Sequence, residues 1–157
     1  MAKMEEIKKK YEDLEKKYKL PSFNNLNNEF EITTIEHEEF LLREIRRKII
    51  EKMELYTKVL ESLLQPNTDS LSDMYECRIF GDEEKDKLFK LFKRLMYFDR
   101  LSIETSIDEN DKKSAEFIND IWKEWDKIKK ELSIFIKKLK EEWLKETKIK
   151  EELGYLG

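Results

Sequence analysis

At 157 residues, the chain has the size of one domain, and 43% of it is charged against roughly a quarter in an ordinary globular protein. Three Gly and two Pro leave few sites for tight turns, which argues against sandwiches, barrels and Gly-rich nucleotide folds. The formal charge of −4 excludes a net basic attraction to nucleic acid, while nine Phe, six Tyr and three Trp exclude a disordered polyelectrolyte.

Residues 3–19 open the chain with Met4, Ile7, Tyr11, Leu14 and Tyr18, a thin stripe at spacings of 3, 4, 3 and 4 in a segment of mostly Lys, Glu and Asp. The stripe predicts a helix ended by Pro21, able to dock on its own core, on a partner or on a second copy of the chain. Phe23, Leu26 and Phe30 predict a short helix among four Asn. Thr33 with Glu36 reads as a capping box that starts a long helix over 35–65, with Pro66 ending it. Its apolar residues, from Leu41 and Leu42 to Leu63 and Leu64, form a band wide enough for a bundle.

Residues 66–81 read as a connector holding a short helix after Ser70. Asp82 is expected to cap a helix running to about Ser106, apolar around most of its circumference and therefore central. Asp108 or Asp111 then starts the last helix. Its heptad seam runs through Ala115, Ile118, Trp122, Trp125, Leu132, Ile136, Leu139 and Trp143, broken by Lys129, and the helix is drawn on to Leu153 with Gly154 as its cap.

The predicted fold is therefore all-α: an antiparallel bundle of three long helices plus an N-terminal helix, in a single domain spanning 1–157. Short connections make sequential helices antiparallel neighbours.

Chemistry is sparse. Cys77 is the sole cysteine, so no internal disulfide forms, in keeping with a reducing compartment. The opening MAKMEEIKKK lacks the apolar stretch of a secretory signal. No apolar run approaches the ~20 residues a membrane helix needs. A cytoplasmic protein with no membrane association is expected. His37 and Cys77 lack an identifiable orienting group or oxyanion site. The lone histidine cannot supply the Glu-x-x-His pairs of a di-iron bundle. No catalytic residue, cofactor or metal is therefore expected. Asp99, beside the seam of its helix, is read as an internal ion-pair partner for Arg43 or Arg46.

Charge is segregated along the sequence. Residues 29–44 hold six acids against Arg43, and 104–120 hold six against two lysines. Residues 85–100 reverse this, with six basic residues against two acids, as do 137–150 with six lysines against three. Up-down-up topology would gather the acidic segments at one pole and the basic ones at the other. The expectation is a non-enzymatic interaction protein, an adaptor or accessory subunit. The alternative is a ribosome- or RNA-associated factor docking through the basic pole. The partner is then a protein or a ribonucleoprotein surface. Candidate contact residues are Lys87, Lys90, Lys93, Arg94, Lys137 and Lys138, together with the stripe of Met4, Ile7, Tyr11, Leu14 and Tyr18.

Overall fold

The computed structural model describes residues 2–146. Its helices are α1 (Ala2–Tyr18), α2 (Phe23–Phe30), α3 (Leu41–Leu64), α4 (Leu71–Glu76), α5 (Asp82–Ile107) and α6 (Asp111–Glu142), with 3-10 turns at Ile32–Thr34 and Glu38–Phe40. There is no strand among the described residues, and α3, α5 and α6 pack against each other. The chain is an all-α bundle. The expected continuation of the last helix to Leu153 and its Gly154 cap lie outside the described residues.

Two compact units divide the long helices between them. The first comprises residues 2–55 with Met96–Asp126, and the second Tyr56–Leu95 with residues 127–146.

In the first unit, α1 ends in a left-handed turn at Lys19 (φ 56°), where Leu20 N–H donates to Glu15 O at 3.1 Å. That bond closes the helix end, and buried Leu20 supplies the accompanying apolar contact. Ile7 and Tyr11 are fully enclosed. The Tyr11 hydroxyl donates to Pro21 O, and its ring tilts against Phe23 at 5.9 Å. These two residues are core, which corrects their reading as partner contacts: a stripe this thin suffices once α2 folds back to cover it. Leu14 and Tyr18 are half-buried, and Met4 remains 48% exposed.

Ser22 caps α2 by accepting from Asn25 N–H, and Phe23, Leu26 and Phe30 are buried as their spacing requires. The long helix starts at Leu41, not Ile35. Glu31 adopts a left-handed conformation (φ 53°), and the chain turns to bury Ile32 and Ile35. Asn27 Oδ1 accepts from Thr33 N–H, so Thr33 is satisfied by α2 and forms no capping box.

On α5, the enclosed residues are Leu88, Leu91, Leu95, Phe98, Ser102 and Thr105, one stripe at alternating spacings of 3 and 4. Phe89, Tyr97 and Ile103 are half or more exposed, so α5 is amphipathic and not wrapped on all sides. On α6, Asn110 provides the N-cap by accepting from Lys113 N–H at 2.9 Å, displacing both aspartates expected there.

Among the described residues the most enclosed charge is Arg46, 4% exposed. It donates to Ser102 O and Oγ at 3.0 and 2.6 Å and to Glu109 Oε2 at 2.6 Å. Ser114, itself fully buried, donates to the other Glu109 oxygen. Asp99 instead pairs with adjacent Arg100, and Arg43 with Glu44. The expected Arg–Asp99 pair is thus replaced by Arg46–Glu109.

Two outcomes follow. Burial, with a smaller push from Glu15, raises the Tyr11 hydroxyl well above the ordinary tyrosine value. The unfolded chain ionises this group near pH ~10 while the folded one holds its proton. Its stabilising share is therefore complete below that pH and lost as pH climbs toward the folded value. Tyr11→Phe should cost ~1 kcal/mol at neutral pH by losing the hydrogen bond, yet decline less steeply in alkali than the parent, as read by urea midpoints. Glu109→Ala should destabilise by about 3 kcal/mol in the same assay, because it strands an enclosed guanidinium.

Candidate basic grooves of the second unit

The N-terminal part of α5 and the C-terminal part of α6 run side by side in the second unit. Phe80 packs edge-on to Phe135 at 5.6 Å, and Lys138 Nζ bonds both oxygens of Glu84 at 2.8 and 3.0 Å. Arg94 donates to Glu131 Oε2. The Lys138 hydrogen bond, only partly offset by desolvation, lowers the Glu84 carboxyl below the usual range.

Between these struts lies a groove of about 260 Å³. Leu91 and Phe135, both buried, form its floor, and Ile134, 69% exposed, forms one wall. Lys87 and Lys90 stand on the rim, and both are exposed. Its two carboxylates, Glu84 and Glu131, are engaged by Lys138 and Arg94. The rim therefore keeps a positive excess over an apolar floor.

A second, more open groove of about 490 Å³ is lined by Tyr56 and by Lys129, Ser133, Ile136, Lys137 and Lys140 of α6. The six candidate cations accordingly separate. Lys87, Lys90 and Arg94 share the first groove, whereas Lys137 belongs to the second. Lys93 lies over the Phe89 ring at 5.9 Å, and Lys138 is held by Glu84 and sits 5.1 Å from the Phe80 ring. Lys140 is among the six lysines of 137–150, whereas Lys129 reads in the sequence only as a break in the apolar seam; the spacing 129, 133, 137, 140 is what places them on one face.

The tryptophans differ as well. Trp125 is buried, with Nε1–H donating to Glu29 at 2.9 Å and its ring 5.0 Å from Phe30. Trp122 is half-buried near the same phenylalanine. Trp143 is 51% exposed, contrary to its seam position, and packs on Tyr75 at 4.5 Å while donating to Glu76. The end of α6 is thus held by the short α4, whose Tyr75 hydroxyl also reaches Glu142 O at 3.1 Å.

His37 is exposed near Glu39, and Cys77 donates weakly to Met74 O. No cluster of three or more metal-ligating side chains occurs among the described residues, and no helix there is long and apolar enough to cross a membrane. Comparison with protein families, with characterised proteins and with solved structures gives no match for this chain.

The tryptophan environments can be checked by iodide quenching of fluorescence. Trp143→Phe should remove most of the quenchable emission, while Trp125→Phe should leave it. Trp125→Ala should in addition cost ~3–5 kcal/mol in stability.

Proposed function

We propose that the chain is a non-enzymatic interaction protein that holds an acidic, apolar segment of a protein partner in the groove between α5 and α6. The observation that carries this reading is the combination of an apolar floor at Leu91 and Phe135 with the exposed ammonium groups of Lys87 and Lys90. An amphipathic helix laid in such a groove would bury its apolar anchors and set carboxylates against the rim. Rim charges of this kind steer encounter and orient the partner more than they add raw affinity.

The same lysines would also meet phosphates, so a ribonucleoprotein surface is the second reading. Segregation favours it: of the basic segments, Lys85–Arg94 and the described lysines from Lys137 to Lys145 fall in the second unit, Arg100 falls in the first, and both acidic segments fall in the first.

Selection of displayed peptides on the full chain tests the proposal. Enriched peptides should carry Asp or Glu beside apolar residues at helical spacing. Their affinity should fall about tenfold or more, the equivalent of ~1.4 kcal/mol, on the double variant Lys87→Glu, Lys90→Glu. Ile134→Asp should weaken them as well. Peptides without acidic bias, or indifferent to both variants, would refute the reading. An RNA probe whose affinity falls with salt by ~0.7 per phosphate contact, and which depends on these lysines, would replace it with the second.

A further inference from the structure

We propose that the outward face of α5 in the first unit pairs with the same face of a second copy of the chain, the two helices running antiparallel. This goes beyond the docking reading and uses none of its residues.

Exposure is the first observation. Tyr97, Ile103 and Ile107 are 63%, 51% and 81% exposed on one stretch of α5. The buried stripe of the helix passes through Phe98, Ser102 and Thr105, so these three side chains stand away from the core. Met96 and Leu101, both half-buried, flank them. A single exposed apolar side chain needs no explanation, whereas a contiguous set marks a contact surface.

Order is the second. Tyr97, Arg100, Glu104 and Ile107 recur at spacings of 3, 4 and 3, so they form one row over about 15 Å of helix. All four are exposed. Along the helix the row reads apolar, cation, anion, apolar. Reversed, it reads apolar, anion, cation, apolar, and each position then faces its complement. Around a two-fold axis level with residue 102, Tyr97 meets Ile107 of the second copy and Arg100 meets Glu104 of the second copy, each contact occurring twice. Parallel pairing would instead set Arg100 on Arg100 and Glu104 on Glu104, and like charges so placed repel. The row is its own complement in the antiparallel sense alone. That self-complementarity commits the face to a second copy.

Charge is the third. Among the described residues no hydrogen bond or ion pair engages Glu104. Arg100 donates from Nη1 to adjacent Asp99, and a guanidinium keeps further N–H donors for a second carboxylate. Asp108, just beyond the row, is held by Lys113 at 3.0 Å. Ion pairs this exposed fix register and orientation more than they add affinity. The Tyr97–Ile107 contacts at the two ends supply the apolar burial. One short helix face lies below the roughly 1,200 Å² of a stable interface, so the dimer is weak and reversible.

Sedimentation equilibrium of the full chain, from micromolar to millimolar at physiological ionic strength, tests the pairing. A monomer–dimer equilibrium is expected. Arg100→Glu and Glu104→Arg, each alone, create like-charge pairs across the two-fold axis and should weaken association at least ~10-fold. An equimolar mixture of these two variants restores both ion pairs within one heterodimer, and should associate at least as well as the parent. That recovery also shows that both variants are folded. The exchanged chain, Arg100→Glu with Glu104→Arg, keeps the parent's net charge and should dimerise like it. Ile107→Ser should weaken the dimer, whereas Ile134→Asp in the docking groove should change it by no more than about twofold. The proposal is overturned if the parent stays monomeric at millimolar concentration, or if a dimer forms that neither charge variant weakens. It is equally overturned if the mixture does not recover what the single variants lose.

Discussion

The guanidinium of Arg46 constrains the first unit more than any other single group. It leaves α3 to reach the backbone and side chain of Ser102 on α5, then Glu109 in the turn before α6, which Ser114 of α6 holds from the other side. Three helices and one connection are thereby fixed in mutual register by one side chain. Burial lowers the Arg46 pKa, against the opposing pull of Glu109, and Nε has no hydrogen-bond partner among the described residues. An arginine stays charged in such a setting, so the desolvation cost is real. A hydrophobic residue of equal volume could be as stabilising, which makes register the more persuasive reason for the arrangement. A slip of α5 by one residue would carry Ser102 off the face that Arg46 reaches.

With register fixed, the apolar stripes decide what remains outside. The α5 stripe from Leu88 to Thr105 turns polar at its end, where Ser102 and Thr105 meet the arginine instead of another leucine. Apolar residues off that stripe, Phe89 and Tyr97 among them, stay at the surface. On α6 the band broadens to Phe117, Ile121, Ile128 and Phe135, all buried, while Ile134 and Ile136 fall to its flanks. Those flanking isoleucines supply the apolar parts of the two basic grooves. The two grooves are thus the margins of the same stripes that build the core.

Much of this was legible in the sequence, and for definite reasons. Periodicities of 3 and 4, with Gly and Pro nearly absent, specify helices directly, and α2, α4 and α5 appear close to where their residues place them. Less legible were features set by tertiary neighbours. Thr33 and Glu36 satisfy a capping pattern, but burying Ile32 and Ile35 outweighs one capping box, so the chain turns and α3 begins later. Asp99 and Glu109 are equally plausible partners for an arginine by sequence. Only the position of Glu109 in the α5–α6 turn decides between them. Trp143 and Trp125 share a heptad seam, yet one is exposed and the other enclosed, because a seam marks a face and not what covers it.

The charge pattern carries the same lesson further. Counting Lys and Arg along 85–100 and 137–150 located the basic part of the chain but not its free charge. Lys138 and Arg94 stand among the most conspicuous cations of those segments, and both are spent on Glu84 and Glu131 within the second unit. What faces outward is the remainder after such pairing: Lys87 and Lys90 over one groove, Lys137 and Lys140 in another. Exposed pairs contribute little to stability, typically below ~1 kcal/mol, so Glu84 and Glu131 matter less for holding α5 to α6 than for deciding which lysines are left over. An acid on one helix selects the cations presented by its neighbour. The two grooves consequently differ in chemistry although they share α6: one has a mixed-charge rim over an apolar floor, the other has lysines and hydroxyls but no carboxylate among its lining residues.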